Sequence, residues 1–469
     1  MSTPPDQAGT PAPASAFRHA VWPVLAALGA LYALLAAGRI SNSDATSMLE
    51  VSRALLRGGI NVPEEVWSVP GRGGLFYSQY GLLTPVWWTP WVLAGQVLAR
   101  LVPMLPAPQW EEFMVSFAAI PPTLAVLALL AWSWWRAGLA AARVRAGLWL
   151  FGLASLLLPY AKIPGSDLLM ALGLFGAWVA LSGRACMRNW LLAGLGLGAA
   201  LLARKQAQIE APFFLLFAAW VWWTRGRGTP QRWRLPAALA TGLGACVLLA
   251  LAYNFARYGH PLLEKYRGHG PFVLPTLGQW LEWSWSFTAG GRVGFVLYAA
   301  VPLVVAAMAL RPWWRREPAT VALVAALVAA NLAFFSVQWY WAGGVGFGSR
   351  FLVFLTPLLA VGWAHVDFPL SGLRRAILGA AIVLALFLNG PGVLVDPLAV
   401  TARNELLRDG RGWEPMVRLA EAGRVLGVPA AQLPESAVGH PVLGHRPFAV
   451  PDFWWAQVGD QLRKRSAAP

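Results

Sequence analysis

What most constrains this chain is a succession of apolar runs divided by short basic joints. A first run covers residues 20–38. Ten more follow at 113–135, 146–159, 167–181, 190–203, 209–223, 236–253, 293–310, 319–337, 351–363 and 376–388. Several are shorter than the ~20 residues a full crossing needs, so their ends are expected to extend into the flanks. Charged residues make up 12% of the chain and hydrophobic ones 57%, against about 25% charged in a soluble domain. A chain so composed cannot cover itself with a polar surface, and a lipid-facing exterior follows. The 27 Trp suit membrane–water interfaces. The net charge of +16 does not call for nucleic acid, because the basic residues sit in the joints and not in a basic, aromatic-interleaved soluble module. Cys186 lies in a basic joint and Cys246 inside an apolar run, so no disulfide is expected.

One segment decides the topology. Residues 82–105 are apolar enough to cross, but they hold Pro85, Pro90 and Pro103. If this segment lies along the outer interface, the fourteen Arg at 136–145, 184–188, 225–234, 311–316 and 374–375 all fall inside. If it crosses, all of them move outside. The positive-inside rule selects the first arrangement. The expectation is an all-α polytopic membrane protein of about eleven transmembrane helices, with the N-terminus cytoplasmic and the C-terminus extracytoplasmic. Residues 1–17, rich in Pro, Ala, Ser and Thr, read as a disordered cytoplasmic tail. Residues 18–391 read as the membrane domain, opening with an uncleaved anchor. Within it, 39–110 form a first extracytoplasmic loop with amphipathic interfacial helices. Residues 392–469 read as a small extracytoplasmic region, with an amphipathic helix over 404–425. The run from 190 to 223 is interrupted by Arg204-Lys205-Gln206. A charge at a helix centre costs about 2.5–3.5 kcal/mol, so two short spans meeting at the outer surface fit better than one long helix.

This topology sorts the acids. Asp44, Glu50, Glu64, Glu65, Glu111, Glu112, Asp167, Glu210, Glu264 and Glu282 all land outside or at the outer membrane surface. The inner loops carry little but Arg. Chemistry is therefore expected on the outer face. Asp44 starts the amphipathic stretch DATSMLEVSRALLRGG, and Asp167 follows the helix breakers Pro164-Gly165-Ser166. Each reads either as a helix cap or as a functional acid.

Three further stretches then line up in order: YSQYGLLTPVWWTP, YNFARYGHPLLEKY and WYWAGGVGFGSRFLVFLTPLL. With Ser43-Asp44 just after the first span, this order resembles the GT-C superfamily of integral-membrane glycosyltransferases. It looks most like bacterial relatives of the protein O-mannosyltransferases and the aminoarabinose transferases. The most family-like pieces are N-x-x-R-Y-G-x-P, beginning at Asn254, and G-S-R-F-L-x-x-x-x-P, beginning at Gly348. The resemblance implies a GT-C-like fold in a bacterial inner membrane. It implies a polyprenyl-phosphate sugar donor and a hydroxyl acceptor on a lipid, glycan or protein. Asp44 matches the family's first-loop acid and Asp167 its second acid. The family commonly pairs its first-loop acid with another, whereas here Ala45 follows Asp44.

In that frame Asp44 would take the acceptor proton as general base, or hold a divalent cation, Mg or Mn, against the leaving phosphate. Asp167 would orient the acceptor or assist Asp44. Arg204 and Lys205, which break the inside bias, would bind the carrier phosphate or else snorkel to outer headgroups. Glu210 would pair with one of them. Arg350, after Gly346-Phe347-Gly348-Ser349, would approach phosphate or anchor the interface. Lys162 is a further substrate-binding candidate, and Tyr77 and Tyr80, with Gln79, would line a sugar site. Arg257, His260, Lys265 and His269 are lesser candidates, and His440 and His445 lie too near the tail for a metal site. Two other classes stay in view. A lipid or solute transporter, or flippase, would show internal repeats and mid-membrane polar sites, and none is seen. A surface-polysaccharide polymerase or ligase would carry its active loop late in the chain.

Overall fold

The computed structural model describes residues 14–40, 43–64, 67–226, 232–263, 275–289, 294–337, 348–395 and 452–456, with isolated residues 228, 230, 265, 419, 422, 423, 425 and 426. The expectations for Glu65, Glu264, His269, Gly346, Phe347, His440 and His445 lie outside this set. So do those for residues 1–13 and almost all of 404–425.

The described residues are helical nearly throughout. Helix α1 (Ala14–Leu35) leads to α2 (Ser43–Leu56) and a small antiparallel ribbon of β1 (Ser68–Pro70) and β2 (Phe76–Ser78), in which Val69 faces Tyr77. Then come α3 (Leu83–Leu101), α4 (Ala107–Val115), α5 (Ile120–Arg136), α6 (Ala141–Leu153), α7 (Leu157–Lys162) and α8 (Asp167–Leu181). These are followed by α9 (Met187–Ala203), α10 (Ala207–Val221), α11 (Arg234–Tyr258), α12 (Leu277–Thr288) and α13 (Phe295–Tyr298). The described chain closes with α14 (Ala300–Arg316), α15 (Pro318–Phe335), α16 (Leu355–Ala360) and α17 (Gly372–Leu394).

Among the described residues five helical stretches are long and apolar enough to cross a membrane: Ser15–Leu35, Ala107–Arg136, Arg234–Tyr258, Pro318–Phe335 and Gly372–Leu394. Helices α8 and α9 are apolar but shorter. The protein is thus a multi-pass helical membrane protein, and several of the apolar runs form shorter pieces instead of one long helix. Prolines explain the breaks. Pro121 and Pro122 open α5, Pro302 lies in the first turn of α14, and Pro318 opens α15. Proline lacks an amide donor and suits a helix start, where that donor has no partner to lose. The 351–363 run is likewise divided, into a 3-10 turn at Arg350–Leu352, α16 and a second 3-10 turn at Val361–His365.

Segment 82–105 forms the single helix α3, with Pro90 inside it, packed against α2 and α4. Helices α8, α9 and α11 approach closely through glycines. A Cβ on Gly173 would stand 2.5 Å from the Gly196 carbonyl oxygen, and one on Gly194 would stand 2.1 Å from that of Leu239. Small residues are how membrane helices bring their backbones together.

The joints gather at two ends of the bundle. At one end, Arg225 reaches the Ser182 carbonyl and Arg143 that of Val366, the Trp363 indole donates to Arg143's carbonyl, and His365 stands 3.6 Å from Glu317. Five basic joints therefore share this end. The starts of α2 and α8, the turn between α9 and α10 and the turn before α16 meet at the other.

Candidate active site

Asp44 is in the first turn of α2, and Asp167 is the first residue of α8. Acids are favoured at helix N-termini by the macrodipole. Here both carboxylates also reach further. Arg350, in the 3-10 turn, bridges them: its Nη1 is 2.9 Å from Asp44 Oδ2 and its Nε 3.4 Å from Asp167 Oδ2. The other oxygen of Asp167 pairs with Arg204. Arg204 ends α9 in extended conformation, and its guanidinium lies 5.1 Å from the centre of the Phe351 ring. The triplet 204–206 does break the chain into two helices.

The second oxygen of Asp44 accepts a hydrogen bond from the Tyr80 hydroxyl, which itself accepts one from Gln79 Nε2 at 3.1 Å. Burial, then the nearby Asp44 carboxylate, push the Tyr80 phenol far up from its ordinary value. Tyr80 therefore stays protonated and keeps donating to Asp44 at any physiological pH.

The loop that presents Tyr80 is held from three sides. Ser47 on α2 donates to Ser78 Oγ at 2.9 Å. Arg257 on α11 reaches the carbonyls of Ser78 and Tyr80 and the Asn254 side chain, and lies over the rings of Tyr253 and Tyr258. Gly81 sits against the end of α9, where a Cβ would stand 2.1 Å from the Leu202 carbonyl oxygen. The N-x-x-R-Y-G motif thus acts as a clamp on the first loop.

The structure brings together Asp44, Asp167, Arg204, Arg350 and Tyr80, with Gln79, Arg257 and Lys205 at the edge of this group, and places Tyr77, Lys162 and Lys265 against other partners. Tyr77 packs with Val69 and Tyr258 in a small apolar cluster, and its hydroxyl donates to the Arg72 carbonyl at 3.3 Å. Lys162 is 3% exposed and faces Asp452, 2.7 Å away. Lys205 is half-buried in the turn beside Arg204. Lys265 donates to the Pro70 carbonyl. Glu210 is fully buried and faces Gln206 at 3.3 Å.

Two residues drew no role from the sequence. Gln206 donates to the Phe351 carbonyl at 2.6 Å and to Asn331 at 3.1 Å, so it fixes the turn that carries Arg350. Its polarity inside an apolar run was the available signal. Tyr160, on α7, is buried within electrostatic reach of Arg350, and nothing in its sequence setting marks it.

Exposure separates the two acids. The Asp44 side chain is 23% exposed, against 6% for Asp167 and 7% for Arg350. Asp44 is the acid an incoming group can touch, and Asp167 the acid that fixes two guanidiniums. Among the described residues no three His, Cys, Asp or Glu side chains come together as a metal cage. The guanidinium of Arg350 stands between the two carboxylates, so the donor set does not fit a resident divalent cation.

No known protein family matches the chain, and no curated protein does. Among solved structures the chain is similar to ArnT from Cupriavidus metallidurans bound to undecaprenyl phosphate. The identity is 14%, the match covers 89% of this chain and 72% of that one, and the TM-score is 0.48. A likeness of this degree concerns the course of the chain and says nothing of its chemistry.

Proposed function

We propose that the protein is a glycosyltransferase that moves a sugar from a polyprenyl-phosphate carrier to a hydroxyl acceptor at the outer face of the membrane. One observation carries this reading. Two acids and two arginines, from four distant parts of the chain, meet at one end of a membrane bundle, with a single acid accessible. The N-terminus is then cytoplasmic, and the basic joints face the cytoplasm.

The acceptor hydroxyl oxygen attacks the anomeric carbon from the side opposite the phosphate. The bond from that carbon to the phosphate oxygen breaks, and its electron pair stays on the phosphate. The acceptor proton goes to Asp44. The leaving phosphate needs fixed cations. Arg350 and Arg204 supply them, because a guanidinium fork fits phosphoryl oxygens as well as it fits the carboxylates it holds beforehand. Asp167 keeps both arginines in place until the phosphate arrives. The role a divalent cation would take falls to the two guanidiniums.

The test is transfer by purified protein in lipid, with a panel of polyprenyl-phosphate sugars. Wild type is compared with Asp44→Asn, each with and without chelator. The expected result is release of free polyprenyl phosphate by wild type only, changed less than about twofold by chelator. Equal release by Asp44→Asn would overturn the assignment of the base. A transporter, flippase or polymerase would leave Asp44→Asn functional in its own assay.

A further inference from the structure

The last described segment, residues 452–456, returns to the same end of the bundle as the candidate site. It packs on the C-terminal end of α1. The Trp454 and Trp455 indoles donate to the carbonyls of Ala33 and Leu34, at 3.0 and 2.8 Å, and the Trp454 amide donates to that of Ala36 at 2.9 Å. The last carbonyls of a helix have no partner within it, so this segment caps α1. Gly38, with φ +70°, lies under Trp454, and a Cβ there would stand 2.6 Å from the Trp454 Cβ. The Asp452 amide donates to the Leu394 carbonyl at the end of α17.

Asp452 itself is 3% exposed and holds two cations. One oxygen is 2.9 Å from Arg39 Nη2 and the other 2.7 Å from Lys162 Nζ. Lys162 also donates to the Val393 carbonyl at 2.6 Å. Arg39 lies five residues before Asp44, and Lys162 five residues before Asp167. One carboxylate therefore bridges the two stretches that lead into the two acids, and downstream one guanidinium bridges the acids themselves. Buried ion pairs add little net stability over apolar replacements. Their use here is to specify one arrangement.

We infer that residues 452–455 are a strap that sets the spacing of Asp44 and Asp167, and that Asp452 is a positioning residue of the site, acting through Arg39 and Lys162. The inference rests on the transferase reading only for what the site does with that spacing. A bridging guanidinium reaches both acids only if their lead-ins are held apart by a fixed distance. Small misplacements of reacting groups cost large factors in rate.

The test uses the full chain in lipid, with the same donor panel, and amide hydrogen exchange over residues 36–44 and 160–167. Asp452→Asn is expected to lower kcat about tenfold or more, with KM for the donor within about twofold, and Asp452→Glu to restore most of the loss. Exchange in both lead-ins rises in Asp452→Asn, while the contact of α9 with α11 stays protected. Because Asp452→Asn leaves Lys162 buried without its counter-charge, the double variant Trp454→Ala/Trp455→Ala detaches the strap without removing a charge and is expected to act the same way. Unchanged exchange in the lead-ins overturns the proposal, whether or not wild type transfers a sugar. So does raised exchange with unchanged kcat, which would make the strap structural only. Wild type inert with every donor, with exchange raised as expected, leaves the strap standing and removes the transferase reading.

Discussion

At the basic end of the bundle, Arg143, Arg225 and Arg375 donate to the carbonyls of Val366, Ser182 and Leu370. At the other end, Arg350, Arg204, Arg39 and Arg53 meet the carboxylates of Asp44, Asp167, Asp452, Glu50 and Glu111. The same side chain has two uses. In the short joints it meets backbone carbonyls, and in the proposed topology its charge would orient the chain, so that its particular partner matters little. At the paired end charges are withdrawn from water, and each finds an opposite charge or, as Arg257 does, carbonyls and ring faces, at a cost of several kcal/mol if it does not. Buried, mutually held charges of this kind gather where chemistry draws on them.

Substitutions test that contrast, beginning with the largest expected effect. Asp44→Asn should reduce transfer about a thousandfold, the scale of losing a general base, with normal membrane insertion; the donor-panel assay reads it. Arg350→Ala leaves Asp167 buried with one of its two cations gone. About 3–5 kcal/mol of stability should be lost, seen as a lower melting temperature in detergent, with transfer down at least about a hundredfold. Arg350→Lys should not restore it, since an ammonium cannot span two carboxylates as a fork does.

Gly81→Ala removes no charge. Its new Cβ would press on the Leu202 carbonyl and shift the loop that carries Tyr80. A cost of about 1–3 kcal/mol and about tenfold in rate would show that geometry, as well as charge, distinguishes the paired end.

Acid should act on the strap. Burial pushes the Asp452 carboxyl up, but Lys162 and Arg39 overcome it and hold it below the usual range. A group depressed on folding contributes fully above its unfolded value, about 3.9, and the contribution is lost as pH falls through the lower folded value. Pepsin cleavage around residue 452 should therefore rise only below about pH 4. At the basic end, Arg225→Ala should change stability by no more than about 0.5 kcal/mol and transfer by less than about twofold. A reporter fused after Ala142 should be found in the cytoplasm. Loss of transfer in Arg225→Ala with normal insertion would break the contrast between the ends.

Much of the helical framework was legible in the sequence. The run at 167–181 is α8, and the run at 190–203 differs from α9 only by three residues at its start. Apolar length and the Pro164-Gly165-Ser166 break carry that information locally. Asp44, Asp167, Arg204 and Arg350 stood out because each is a charge beside an apolar run, which is rare enough to notice. What they do with one another was not legible, because pairings between residues far apart in the chain leave no local trace. Lys162 shows this best. Its partner Asp452 lies in a Pro-punctuated tail, and neither neighbourhood hints at the other. Tyr77 and Tyr80 read alike three residues apart, yet β2 ends between them, and only Tyr80 turns toward Asp44. The divided runs at 113–135 and 293–310 were hidden because unbroken hydropathy masked the prolines.

The short helices have a consequence for the surrounding lipid. Helix α8 has 15 residues and α9 has 17, while α10 runs on from its 15 residues into a helical turn at Trp222–Gly226. At 1.5 Å per residue, 15 residues span roughly 22 Å, against a hydrocarbon thickness of about 30 Å. A bilayer meeting such helices thins to match them, at a modest cost per ångström. If the bilayer follows these helices, the headgroup plane would sink there toward Asp167 and Arg204, which stand at the helix ends. If the protein is the transferase proposed above, a carrier lipid drifting in the leaflet would bring its phosphate down to the guanidiniums by following the local dip, without lifting its chain from the oil. The acyl-chain length of the host membrane would then help set how far each donor must travel.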